Sequence, residues 1–410
     1  MSVLPDPSSS DTRAPLTCRA WVEVDLERLR QNFRNLAALV RPARMAAVIK
    51  SEAYGHGLVP VARTLEPEDE LWGVCVVTPE EGGVLRRAGF SKPILVVGAS
   101  FPEEMEQAVR DDLILAVYDS GQARALSEAA GRVGKAARAH LKLDTGLSRL
   151  ASATRDAREF YREVSALPHL VFEGAYSHLA DAEGLDQSYT LGQYRRFRDC
   201  LGELEQEGFR PALRHIGASA AALLLEKTRL DLVRIGISLY GFWPSEETRI
   251  LHHGAAHNLA ARLCDEFSDL QPPQLESLFA PVMSYRARVV QTKWLERDTK
   301  VGYGCTFETQ RRTRVAILPV GYAEGYDRHL SNCGEVLLNG RRARVLGRVC
   351  MNLTVVDVTD IEGVEPGSVA TLLGEDGGAR ITAEEWAAKI GTIQYEVVTR
   401  IPTSIPRVYR

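Results

Sequence analysis

Met45-Ala46-Ala47-Val48-Ile49-Lys50 is a short aliphatic run that ends on an amine, and Ser51-Glu52-Ala53-Tyr54-Gly55-His56-Gly57 follows it as a glycine-punctuated turn. An apolar run bounded by a turn reads as a buried strand. A strand that delivers a lysine at its C-terminal end puts the amine on the rim of an α/β fold, where active sites gather. An amine in that place can form a Schiff base with an aldehyde.

The pattern recurs outward from this stretch. Eight aliphatic runs, 46–50, 71–77, 94–98, 113–118, 139–144, 171–178, 213–217 and 232–236, alternate with amphipathic segments such as 103–110, 121–130 and 187–206. Eight β-then-α repeats predict a closed (β/α)8 TIM-type barrel, because an open doubly wound sheet usually has fewer strands. Lys50, Lys142 with Asp144, His178 and Arg234 fall at or near the C-terminal ends of their runs, with Ser219 just beyond the seventh. In a barrel those ends converge on one mouth.

After Gly241 the repeat stops. Residues 243–281 carry several Pro and His and read as a connecting segment or lid. From Met283 the chain alternates in a period of two, with turns at Asn339-Gly340 and Gly377-Gly378, which predicts a mainly antiparallel β-domain. One helix over 382–390 interrupts it, with Thr382 as N-cap and Glu385 completing a capping box. The expected organisation is a disordered tail over 1–16, a barrel over 17–242, the connection over 243–281 and the β-domain over 282–410.

With 410 residues, 45% hydrophobic and 25% charged, the chain can bury a large core and form two domains. A formal net charge of -4, mixed in sign, argues against nucleic acid or a membrane surface as partner and for a small neutral or zwitterionic ligand. The cysteines at 18, 75, 200, 264, 305, 333 and 350 form no CxxC pair, and their odd, scattered set argues for a reducing, cytoplasmic compartment. Residues 1–15 are rich in Pro, Ser and Asp and hold no apolar core, which fits neither a signal peptide nor a membrane anchor. His253 and His257 have the spacing of metal ligands, but the segment reads as an exposed connection and no metal is expected.

Val48-Ile49-Lys50 with Ala53-Tyr54-Gly55-His56-Gly57 resembles the cofactor-lysine motif of the alanine racemase family, barrel-type pyridoxal-phosphate enzymes. Further segments match in order: His140-Leu141-Lys142-Leu143-Asp144-Thr145-Gly146 with Arg149; Tyr176-Ser177-His178-Leu179-Ala180; Val233-Arg234 with Gly236-Ile237 and Tyr240-Gly241; Gly302-Tyr303-Gly304; Pro319-Val320-Gly321-Tyr322-Ala323 with Gly325; and Gly347-Arg348-Val349-Cys350-Met351. The resemblance implies an isomerase that interconverts L- and D-alanine with pyridoxal 5'-phosphate. It also implies a homodimer in which the barrel binds the cofactor and the β-domain completes the partner subunit's site.

Racemisation removes the Cα proton from one face and returns a proton to the other, so two acid/base groups on opposite sides are the direct solution. By resemblance, Lys50 holds the cofactor and then acts on one face, and Tyr303 of the partner subunit acts on the other. A free tyrosine, with a pKa of roughly 10, is a poor base unless positive charge or donors favour the phenolate. The family's answer is a relay from Arg234 through His178. Arg234 would face the pyridine nitrogen, keep it unprotonated and so limit transamination. Taken singly, His178 reads as a core histidine, and the ordered set of motifs favours the functional reading; the apolar neighbours Val233, Ile235 and Ile237 argue against a surface arginine at 234.

Tyr54, Ser219, Gly236 and Ile237 correspond to the phosphate site. Arg149 corresponds to the group that binds the substrate carboxylate or the cofactor's phenolic oxygen, and the Met351 backbone to a donor from the other subunit. Tyr322 corresponds to a residue lining the way in, with a buried aromatic as the competing explanation. Lys142 is either a carbamate beside Arg149 or a plain amine paired with Asp144 or another acid. Cys350 reads as a buried thiol.

The chain departs from the family pattern at Asn352, where aspartate is common, at Ala218, where asparagine precedes the serine, and at Thr403, in place of a tyrosine that narrows the entrance. Leu147-Ser148 replaces Met-Gly. A smaller residue at 403 and a lost carboxylate at 352 open the way to side chains larger than methyl, because a hydrophobic pocket discriminates by only roughly 1–3 kcal/mol per methylene. Serine or a broader set therefore stands behind alanine. An amino-acid decarboxylase shares the architecture, but Arg234 and Gly302-Tyr303-Gly304 argue against it. A non-catalytic pyridoxal-phosphate-binding protein lacks a reason for the second domain and Tyr303.

Overall fold

The computed structural model describes residues 18–254 and 278–410. The expected tail over 1–16, His257, Cys264 and the middle of the connection lie outside the described residues. The chain divides into two compact units: a barrel unit of Arg28–Ala53 and Leu58–Ala280, and a β-unit that takes in residues 18–27, Tyr54–Gly57 and Pro281–Arg410.

All eight aliphatic runs are strands. Arg44–Val48, Leu71–Val76, Ile94–Val96, Ile114–Val117, Ala137–Asp144, Leu170–Tyr176, Leu213–His215 and Leu232–Ile235 are parallel and paired in chain order, and the eighth pairs with the first. Between the seventh and eighth the ladder is thin: Asp231 N donates to Arg214 O at 3.2 Å and Arg234 N to Gly217 O at 3.0 Å, with one bridge at Ala218. Short runs buried on both faces are what such a barrel needs, and Leu71–Val76, Ile94–Val96, Ile114–Val117 and Leu232–Ile235 are buried throughout. Helices between the strands start on residues suited to it. Thr78 and Asp119 accept the N–H groups of Glu81 and Gln122, and Pro79 follows Thr78 at the first helical position.

Close packing inside the barrel fixes one glycine. A Cβ on Gly174, in the sixth strand, would lie 2.6 Å from the ring of buried His140 in the fifth. The ring fills the volume that any side chain at 174 would take.

The β-unit holds a sheet in the order Arg341–Arg344, Glu335–Leu338, Val369–Asp376, Met283–Arg288, Ala20–Val24 and Arg407–Tyr409, and a three-stranded sheet of Gln291–Leu295, Thr313–Leu318 and Thr354–Asp357. Two-residue turns at Asn339-Gly340 (φ +50°, +74°) and Gly377-Gly378 (φ +55°, +85°) close hairpins, as the sequence predicts.

Two expectations change. Ala20–Val24 lies in the β-unit's sheet, antiparallel to Met283–Arg288 and parallel to Arg407–Tyr409, so the barrel does not begin at residue 17. Its alternation is that of a sheet with two different faces: Glu23 accepts from Trp21 Nε1 at 2.9 Å, Arg286 Nε at 3.0 Å and Arg410 at 2.8 Å, while Val22 and Val24 are fully buried. In the helix Ala383–Ile390, Thr382 does cap Glu385 N at 3.1 Å, but the Glu385 carboxylate pairs with Arg342 and Lys389 and leaves the box half-made.

Candidate active site

Lys50 leaves the first barrel strand into a left-handed helical turn. Ser51, Glu52, Ala53 and Tyr54 have φ of +54°, +54°, +52° and +55°, and Ala53 N closes the turn on Ile49 O at 2.8 Å. Non-glycine residues in this region cost about 1–2 kcal/mol each, so the surroundings must hold them there. On the barrel side, Glu81 accepts from Ser51 N at 2.6 Å and from Val77 N at 2.7 Å. In the β-unit, Gly55 (φ +82°) leaves room for Val398 O, which a Cβ would meet at 2.5 Å, and Arg407 Nε donates to Gly55 O at 3.1 Å. The rings of Tyr54 and Tyr395 lie 6.3 Å apart. The Lys50 amine itself has no hydrogen-bond or ion-pair partner among the described residues, and burial followed by Arg149 lowers its proton affinity.

Lys142 and Arg234 reach the same end of the barrel interior. Lys142, 8% exposed, donates to Val97 O at 2.9 Å; burial, then Arg234, Arg149 and Lys50, lower its pKa to about 8. The alternative of an ion pair with Asp144 is not formed. Asp144 Oδ1 instead accepts from Gly146, Leu147 and Ser148 N at 2.8, 3.0 and 3.1 Å, shaping the loop that carries the exposed Arg149.

Arg234 is buried to 4% exposure without a carboxylate partner among the described residues. A buried cation is costly unless its donors are used. NH1 donates to His215 Nδ1 at 2.6 Å, and NH2 donates to Ser177 O, Ile216 O and His178 Nδ1 at 2.8, 3.2 and 3.2 Å. Because the guanidinium can only donate, both Nδ1 atoms accept, which leaves the hydrogen of each neutral ring on Nε2. Burial, then Arg234, pushes His178 down to about 3, so it stays neutral at ordinary pH. His215 Nε2 then donates to His140 Nδ1 at 2.9 Å, and His140 Nε2 faces Glu173 at 3.4 Å. Tyr176 stacks on His215 at 4.8 Å and 6°, with the Arg234 and Lys142 cations 5.1 and 5.4 Å from its ring centre. Gln193, fully buried, donates to His178 O and Thr145 Oγ1 and accepts from Ala180 N.

Ser219 Oγ accepts from Gly236 N at 3.0 Å, which ties the seventh strand's outgoing turn to the one that begins at Ile237. The barrel unit thus brings together Lys50, Lys142, Arg149, His178, Ser219, Arg234, Gly236 and Ile237. Tyr54, Tyr303, Tyr322 and Met351 belong to the β-unit. There, Tyr303 stands 73% exposed between Gly302 (φ +73°) and Gly304 (φ +72°). Tyr322 N and Ala323 N donate to Cys350 O and Met351 O at 3.1 and 2.9 Å, and Gly321 has no space for a Cβ, which would meet Cys350 O at 2.1 Å. Tyr322 and Met351 are 43% and 55% exposed, so Tyr322 is not a buried aromatic, and Cys350 is half-buried. Asn352 donates to Glu324 at 2.7 Å.

Sequence reasoning quoted His140 within a matched segment without giving it a role, and did not single out His215, Gln193 or Glu81. His140 stands two residues before Lys142, so period-two alternation already puts both on one face; His215 follows the exposed Arg214, and the same alternation turns it to the opposite, buried side. Nothing local marks Gln193, and Thr78-Pro79-Glu80-Glu81 marks Glu81 only as a helix-start glutamate. Among the described residues no group of His, Cys, Asp and Glu is arranged to hold a metal, and no helix is long and apolar enough to cross a membrane. His253 packs edge-on against Trp243 at 5.4 Å.

The family pattern described as alanine racemase, N-terminal domain, matches residues 24–244, and that described as alanine racemase, C-terminal domain, matches residues 282–409. The chain belongs to the alanine racemase family. Among curated relatives of the family, the alanine racemase of Methanococcus maripaludis is 37% identical over 95% of this chain and 98% of its own length, and that of Symbiobacterium thermophilum is 39% identical over 95% and 96%. The crystal structure of alanine racemase from D-cycloserine-producing Streptomyces lavendulae superposes with a TM-score of 0.86 at 34% identity, covering 97% of this chain and 98% of that one. The family is one of isomerases, and its N-terminal barrel followed by an antiparallel β-domain is the architecture found here.

Proposed function

We propose that the protein interconverts L- and D-alanine by a two-base mechanism with pyridoxal 5'-phosphate, as a homodimer with shared active sites. One observation carries the reading: a half-buried, unpartnered lysine amine stands among three further basic side chains at the mouth of the barrel. Such a donor set fits an aldehyde that also bears a phosphate and a phenolic oxygen. When bound, the cofactor supplies the aldehyde and a conjugated ring that accepts the electron pair left at Cα.

The chain's own residues would divide the rest. Lys50, with lowered proton affinity, takes or returns the Cα proton on one face, and Tyr303 of the partner subunit does so on the other. His178, neutral with its Nε2–H free to donate, stabilises a phenolate that a tyrosine alone would not hold near neutral pH. Arg234 places a fixed positive charge toward the pyridine nitrogen, which disfavours protonation there and, with it, the decarboxylase reading. Tyr54, Ser219, Gly236 and Ile237 bind the phosphate; Arg149 and the Met351 backbone bind the carboxylate end; Tyr322 lines the way in. Lys142, with a pKa of about 8 and no acid paired with it among the described residues, is suited to a carbamate, whose negative charge would offset its neighbours.

Serine or a broader substrate range is the second reading. Thr403 is exposed, and Asn352 spends its amide on Glu324. The six described cysteines are all free, which supports the cytoplasm as the compartment.

The test is a panel of L-amino acids followed by chiral chromatography, with evolved carbon dioxide measured in parallel. Alanine turnover without gas, lost together with the bound-cofactor absorbance in Lys50→Ala, is expected. Gas release, or turnover that survives Lys50→Ala, would overturn the assignment.

A further inference from the structure

Glu81 stands in the first turn of the helix Pro79–Arg87, where its own N–H donates to the cap Thr78 Oγ1 at 3.3 Å. A glutamate three residues past the cap ordinarily folds back on the cap's backbone. Here the two carboxylate oxygens divide between two other segments. Oε2 accepts from Val77 N at 2.7 Å, at the end of the second barrel strand, and Oε1 accepts from Ser51 N at 2.6 Å, thirty residues away.

Ser51 follows Lys50 directly and is the first of the four non-glycine residues with positive φ. The conformation of that turn is unfavourable on its own, so whatever holds Ser51 also holds the orientation from which the lysine side chain departs. Within the barrel unit, the Glu81 carboxylate accepts from Ser51 N and the Glu52 carboxylate from Leu58 N at 3.1 Å. Only the first reaches the residue beside the lysine, and it ties it to a different strand.

We propose that Glu81 is a positioning residue for Lys50: its carboxylate clamps the backbone after the lysine in the left-handed turn and so fixes where the amine stands. The proposal rests on Lys50 being the reactive amine. The groups that face this amine are Arg149, Glu81 and Cys75, with Lys142 and His178 sharing the same surroundings. Burial and Arg149 favour its neutral form, while Glu81 and Cys75 favour the charged form. Replacing the carboxylate by an amide therefore removes a group that retains the proton, and the neutral amine forms at lower pH.

The test uses the full-length protein stripped of cofactor and mixed with pyridoxal 5'-phosphate over a pH series. Condensation of the amine with the aldehyde expels one water and is followed by absorbance; borohydride then fixes the adduct for peptide mass spectrometry. Glu81→Gln keeps size but offers one acceptor where two backbone donors wait. Its adduct on Lys50 is expected to form roughly tenfold more slowly at the alkaline plateau, the factor that matches loss of one charge-assisted hydrogen bond. Its pH midpoint is expected to move to lower pH. Glu81→Asp keeps the charge but not the reach, and decides the matter if the glutamine variant does not accumulate: slower adduct formation at an unshifted midpoint supports the clamp, and wild-type kinetics overturn it. Wild-type rate and midpoint in Glu81→Gln likewise overturn it. A wild-type adduct on some other lysine would sink the reading of Lys50 instead, which keeps the two failures apart.

Discussion

Lys142 shows how strongly neighbours decide what a residue is. Burial, then the charges of Arg234, Arg149 and Lys50, lower its pKa from the ordinary 10.5 to about 8, although a carbonyl at 2.9 Å and the Tyr176 ring favour the charged form. Between those two values the unfolded chain carries a proton on this residue that the folded chain does not. Stability then rises with pH across that window, because the unfolded state binds more protons. Lys50 acts in the same direction, so the slope is shared. In carbon-dioxide-free buffer, Lys142→Met is expected to unfold in urea with a flatter rise from pH about 8 to about 10.5 than the wild type. Parallel curves for the two proteins would contradict the buried, charge-crowded environment. At this scale the sequence exposes residues at strand ends, such as Lys50, Lys142, His178 and Arg234, because the run's last position marks the rim. It hides His140 and His215, whose hydrogen bonds come from different strands and follow from the barrel's closure.

The elements were readable where their signal is local. Barrel strands such as Ile94–Val96 and Ile114–Val117 are compact apolar runs, and the hairpin turns at 339–340 and 377–378 carry their own Asn-Gly and Gly-Gly. Ala20–Val24 escaped because both its neighbours come from more than 250 residues away, so its alternation had nothing nearby to pair with. The left-handed turn escaped for a different reason: Ser, Glu, Ala and Tyr do not favour positive φ, and only Gly55 and Gly57 hint at it. Within the barrel, Gly174 sits in register between His140 and Leu213, so the strand cannot slide to accommodate a side chain. Gly174→Ala is expected to cost roughly 1–3 kcal/mol, the range for forcing a group into a packed core. It should also change the imidazole nitrogen signals of both His140 and His215 in NMR spectra. An alanine variant with unaltered stability and unaltered signals would show that the ring has other room.

At the scale of the molecule, the β-unit is discontinuous, drawing on residues 18–27, Tyr54–Gly57 and Pro281–Arg410. The order of barrel then β-domain was legible because each half has one dominant period. The exchange of short segments between the halves was not, since residues 18–27 and 54–57 are too few to carry a period. A chain ending at Ala280 would keep all eight barrel strands but leave Trp21, Val22 and Val24, all buried in the intact chain, without either neighbouring strand. Such a truncation is expected to be aggregation-prone and to bind a hydrophobic dye, in contrast to the full chain. A monodisperse, dye-negative fragment would refute this.

The closing strand gives the chain an unusual schedule. Val22 N donates to Pro406 O and Arg410 N to Val24 O, each at 2.9 Å, so Ala20–Val24 is zipped to residues made more than 350 positions later. During synthesis the barrel can assemble as it emerges from the ribosome, whereas Ala20–Val24 must wait, unsealed on that side, until Arg407–Tyr409 has been made.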